Sequence, residues 1–85
     1  MAELRPRIPD PKRYSGDKKT LDIWLYSLKT YFTAVEWEYD GDDSEKCGRY
    51  AVALLDGPAL QWMHRKSLLG QVPVDFGAFE HDIKA

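Results

Sequence analysis

The sequence predicts an all-α fold: a small orthogonal bundle of four to five helices behind an extended N-terminal arm. Three observations carry that expectation. Apolar side chains recur at steps of three and four along successive stretches, the period of a helix with one buried face. Pro6, Pro9 and Pro11 crowd the first 16 residues, where each removes a backbone donor and fixes the chain away from helix. Asp56-Gly57-Pro58, and later Gly70 with Pro73, fall where one helix would stop and another begin. The expected organisation is an arm over residues 1–16 and a helical lobe over residues 17–85.

The arm has Leu4, Ile8 and Tyr14 as its bulky apolar side chains, and Ile8 and Tyr14 are the expected anchors onto the core. Gly16-Asp17 reads as a turn. Leu21, Trp24, Leu25, Leu28, Phe32 and Val35 form one apolar stripe, which places a first helix at about Leu21 to Trp37 with Thr20 as N-cap. Lys29, Thr30 and Thr33 fall on its outer face. An acidic loop follows, and Asp43 or Ser44 caps a second helix whose stripe is Cys47, Tyr50, Ala51, Leu54 and Leu55. Gly48 weakens that helix by roughly 1 kcal/mol relative to alanine unless it permits a close crossing. A third helix starts at Pro58 and buries Ala59, Trp62 and Met63; Gly70 supplies its left-handed stop. Asp75 caps a fourth helix with Phe76, Phe79 and Ile83 inward. The chain ends with that apolar face still running, so the domain is expected to be a piece of something longer.

Composition closes several doors. Hydrophobic residues at 44% and charged residues at 31% describe a globular chain. No apolar run approaches the roughly 18 residues of a membrane span. The single cysteine, Cys47, allows neither an internal disulfide nor a multi-cysteine zinc site, and a reducing interior is the default. A chain of 85 residues buries only about 60–65% of its unfolded surface, and eleven aromatics compensate with bulk. The net charge of −2 divides unevenly: residues 1–19 carry six basic and three acidic side chains, the rest six basic and eleven acidic. Glu36, Glu38, Asp40, Asp42, Asp43 and Glu45 form an acidic run without a cation.

Residue types suited to catalysis do not assemble into a motif. Asp40, Asp42 and Ser44 alternate like the start of a calcium loop, but Glu45 stands where the turn needs glycine and Ala51 where it needs a bidentate glutamate. His64, His81 and Cys47 have no metal-ligand spacing. There is no nucleophile elbow and no phosphate loop, so enzyme activity, cofactors and metals are not expected.

The order of the aromatic and glycine residues points further. Pro11-Lys12-Arg13-Tyr14-Ser15-Gly16, then Trp24-Leu25, then Tyr31-Phe32, then Leu54-Leu55-Asp56-Gly57-Pro58-Ala59 with Trp62, resembles the Gag capsid N-terminal domain of gypsy-type LTR retrotransposons. That family has an aromatic-x-Gly opening, a Trp-Leu pair, a Tyr-Phe pair, a Leu-x-Gly-x-Ala-x-x-Trp block and a polar-capped aromatic helix. Lys46 and Ala51 also match it. Asp75-Phe76-Gly77-Ala78-Phe79 looks like its closing Trp-x-x-Phe helix, with Phe76 in place of tryptophan.

The resemblance implies a retroviral-capsid-like N-terminal lobe that self-assembles into an RNA-packaging shell inside the cell, with RNA bound mainly by other parts of Gag. The expected core is Tyr14, Trp24, Leu25, Leu28, Phe32, Tyr50, Leu54, Gly57, Trp62 and Phe79. The charge split suggests head-to-tail pairing of Arg5, Arg7, Lys12 and Arg13 with Asp40, Asp42 and Asp43 of a neighbouring copy. A second expectation follows Arc-like domesticated relatives, in which this lobe is an adaptor with a hydrophobic groove for short peptides; here the groove is placed at Tyr14, Trp24 and Tyr31. A third is phosphate contact by the basic arm.

Overall fold

A computed structural model describes residues 11–85. They form four helices: α1 over Leu21–Ala34, α2 over Ser44–Ala53, α3 over Gly57–Leu68 and α4 over Phe76–Lys84. The fold is all-α; the described residues contain no strand beyond a single parallel bridge between Tyr14 and Leu55. Arg5, Arg7 and Ile8 lie outside the described residues.

Helix α1 buries five residues of the expected stripe, Leu21, Trp24, Leu25, Leu28 and Phe32, while Val35, the sixth, is the C-cap just past its end and is half-buried. Its start differs from expectation. Thr20 occupies the N-cap position but its hydroxyl donates to the Asp17 carbonyl at 3.0 Å, while Asp17 Oδ1 accepts from the Lys19 amide. Local side-chain bonding has displaced the cap. The end differs too: the helix stops at Ala34, three residues early, because Glu36 turns left-handed at φ 64°. Trp37 N–H then donates to the Phe32 carbonyl and Glu36 N–H to that of Thr33, the two bonds of a Schellman stop. The same pair of bonds ends α3, from Gln71 to Lys66 and from Gly70 to Ser67, with Gly70 at φ 68°.

Residues 36–43 fold into a tight turn. The Asp43 carboxylate accepts from the Glu38 amide at 2.9 Å, so Asp43 closes this loop and does not cap α2 with its side chain. Asp75 does cap α4, accepting from the Ala78 amide at 2.8 Å. Gly48 sits against that cap: a Cβ there would lie 2.6 Å from the Asp75 carbonyl carbon, closer than real side chains come. The glycine permits the α2–α4 crossing at backbone contact.

Ten of the eleven aromatics are buried or half-buried, and Tyr26 is the exposed one. Phe32 lies at the centre with edge or stacking contacts to Trp37, Tyr50 and Phe76. Tyr14, Trp24, Leu25, Leu28, Phe32 and Phe79 are buried. Tyr50, Leu54 and Trp62 are half-buried and pack on the outside of that cluster; Leu55, one residue along, takes the interior place. Gly57 is exposed, with φ 50°, and contributes a turn and not core volume. Lys29, expected on the outer face of α1, instead pairs with Glu80 of α4 at 2.8 Å.

Candidate interaction groove

The chain enters the described fold as a short extended segment pinned on both sides. Tyr14 N–H donates to the Leu54 carbonyl at 3.0 Å, and Tyr14 C=O accepts from Asp56 N–H at 2.9 Å. Ser15 C=O accepts from Ala59 at the start of α3. The Tyr14 ring stacks on Trp24 with centroids 4.9 Å apart, and the Trp24 indole N–H donates to the Lys12 carbonyl at 2.7 Å. Burial, aided by the Asp17 carboxylate, raises the Tyr14 hydroxyl pKa, so the ring stays neutral.

Between this segment and α1 runs an open groove of about 700 Å³. Tyr14, Trp24 and Tyr31, the residues proposed from sequence as a peptide site, all line it. Tyr31 is held in place by stacking on Tyr50 at 5.4 Å. Ile23 and Tyr26, on the face of α1 that periodicity assigns to solvent, form its rim at 70% and 71% exposure. The signal for them was two large apolar side chains lying off the buried stripe.

The candidate assembly charges divide. Lys12 and Arg13 are exposed at the groove, and Asp40 and Asp42 are exposed in the acidic loop. Asp43 is engaged in its turn and pairs with Lys46 at 3.5 Å, which makes it a structural residue. Lys46 also lies 4.6 Å from the Trp37 ring centre. The other exposed apolar side chains cluster elsewhere: Leu60, Leu68, Leu69, Val72 and Val74 belong to α3 and the connection after it.

Cys47 is fully buried, and burial pushes its thiol up to about 11, leaving it a packed apolar group and not a nucleophile. Among the described residues no group of three His, Cys, Asp or Glu side chains is placed to hold a metal ion. No helix there is long and apolar enough to cross a membrane.

Fold and groove together define a small α-helical module with an open, aromatic-floored groove beside α1. No family model matches the chain, and neither a curated protein nor a solved structure matches it.

Proposed function

We propose that the chain is the N-terminal lobe of a Gag capsid protein of an LTR retrotransposon, or of a domesticated Gag, and that it works by binding copies of itself to build an intracellular, RNA-packaging shell. One observation carries this reading. The motifs that suggested the family, separate in sequence, meet at one place: Tyr14 pairs with Leu55 and stacks on Trp24, while Ser15 bonds to Ala59. Motif residues that lock together specify a fold, and a structural protein requires nothing more of them.

The exposed charges give the first assembly contact. Lys12 and Arg13 of one copy meet Asp40 and Asp42 of the next, each pair contributing about 0–1 kcal/mol, so the contact is multivalent and weakened by salt. Light scattering of the chain at low and high salt tests it. Assembly that falls with salt and is lost in Asp40→Lys with Asp42→Lys supports charge pairing. Assembly indifferent to both rules it out.

The groove favours a second reading, an adaptor for short peptides. Tyr14 spends its backbone groups on the α2–α3 connection, and neighbouring residues of an extended chain face the opposite way. Arg13 N–H and C=O have no partner among the described residues, so they offer an edge to which an extended peptide adds. NMR titration with proline- and aromatic-containing peptides tests this; resonances of Trp24 and Tyr31 that stay fixed contradict it.

A further inference from the structure

The large exposed apolar side chains of the described residues fall into two sets, and the sets differ in shape. Ile23 and Tyr26 rim a concave, aromatic-floored groove. The second set is concentrated at the far end of α3, where Leu68-Leu69-Gly70-Gln71-Val72-Pro73-Val74 carries no charged residue. Leu68, Leu69 and Val74 are 73%, 70% and 73% exposed. A Cβ built on Gly70 meets nothing within 4 Å, so the turn at Gly70 is open on that side.

We infer that the groove of one copy receives the 68–74 segment of a second copy, in a head-to-tail contact. The inference rests on the self-association reading and names its interface. Three features match the two surfaces. Both are apolar, and seven consecutive uncharged residues are what a groove floored by Trp24 and Tyr31 can cover without burying a charge. Both present free backbone: Val72 and Val74, like Arg13, have no backbone hydrogen bond among the described residues. An extended Val72 segment laid along Arg13 pairs these groups and sets its valines on the groove floor.

The third feature is distance. The start of α3 adjoins the groove wall, where a Cβ on Gly57 would lie 3.6 Å from Ser15 Cβ. The 68–74 segment leaves the other end of that twelve-residue helix. At the rise of a helix that separation is about 18 Å. No residue of 68–74 lines the groove of its own chain, so the groove that the segment enters is a neighbour's. A contact between two different surfaces propagates, closing into rings where the rotation allows. Because the segment is uncharged, this contact resists salt that screens charge pairing.

Sedimentation velocity on two variants of the 85-residue chain tests it. One carries Leu68→Asp with Leu69→Asp, the other Ile23→Asp with Tyr26→Asp; all four positions are exposed, and unchanged circular dichroism verifies folding. Each variant alone is expected to associate about tenfold more weakly than the unmodified chain, or worse. Mixed in equal amounts, at salt high enough to screen the Lys12/Arg13 contact with Asp40 and Asp42, they are expected to form a heterodimer that grows no further, since one intact groove meets one intact segment. Variants that associate like the unmodified chain, or a mixture that does not pair, overturn the inference while leaving self-association standing. An unmodified chain that remains monomeric overturns both. As a second measurement, the free 68–74 peptide is titrated against the chain, and the Trp24 indole resonance is expected to move. A resonance that ignores this peptide but follows an unrelated apolar one overturns the inference in favour of a foreign ligand.

Discussion

Tyr14 lies face to face on Trp24, centroids 4.9 Å apart and planes 25° from parallel, and this stack fastens the incoming chain to α1. The residues that hold the groove open are thus also the ones that hold the fold together. Tyr14→Ala should cost about 3 kcal/mol, a large part of a small domain's stability, because it empties a buried site and frees the segment at once. Tyr26→Ala, at the exposed rim, should change stability by no more than about 0.5 kcal/mol. Urea denaturation of both variants checks the contrast; equal losses contradict it.

Gly48 meets the Asp75 backbone so closely that a methyl group would sit 2.6 Å from its carbonyl carbon. Backbone on both sides leaves little room to yield. Gly48→Ala should therefore destabilise by about 1–2 kcal/mol despite alanine's helix propensity. Gly77→Ala, where the nearest atom is Asp75 Oδ1 at 3.6 Å, should stabilise slightly. Thermal unfolding decides; a Gly48→Ala melt at or above the parent temperature refutes the close crossing.

Glu36 performs at φ 64° the task that Gly70 performs at φ 68°. The left-handed conformation is unfavourable for a residue with a Cβ. Glu36→Gly should stabilise the domain by about 0.5–1 kcal/mol, the gain reduced by glycine's greater freedom when unfolded. A fall in stability would mean that the Glu36 side chain makes a contact worth more than the backbone strain.

Lys29 and Glu80 tie α1 to α4 across 2.8 Å, and Lys84 adds a second cation at 3.3 Å. Burial pushes the Glu80 carboxyl up, but the two lysines outweigh it and hold its pKa below the usual 4.5. A carboxyl lowered by folding contributes stability above pH 4.5, and this is lost as pH falls through its folded value. The hydrogen bond to Glu80 raises the Lys29 amine above 10.5; its contribution is full below pH 10.5 and is lost as pH rises through the folded value. Lys29→Met should flatten the acid limb of the melting-temperature profile below pH 4.5. An unchanged acid limb contradicts the pairing.

Those pairs also mark what sequence could reveal. The stripe of α1, the Asp75 cap and the stop at Gly70 were legible because local chemistry alone decides them. Thr20 and Asp43 were not, since each side chain found a nearer backbone partner, Asp17 and Glu38. The end of α1 was overrun because Trp37 keeps packing on Phe32 after the helix has stopped. Leu55 is buried as its stripe position predicts, and Leu54 is only half-buried because the helix has ended at Ala53 and Leu55 turns inward at the bridge to Tyr14. At the groove, Tyr14, Trp24 and Tyr31 were legible as aromatics near the arm. Ile23 and Tyr26 were hidden, because helical periodicity describes what a helix buries in its own domain and not what it offers to another.

The central claim is that this lobe associates with copies of itself, and sedimentation velocity across a wide concentration range, followed by electron microscopy of the heaviest fraction, tests it most directly. The account predicts a monomer at low concentration that converts reversibly to larger species as concentration rises, with rings or curved assemblies in the images. A chain that sediments as a monomer at every concentration and salt would contradict it.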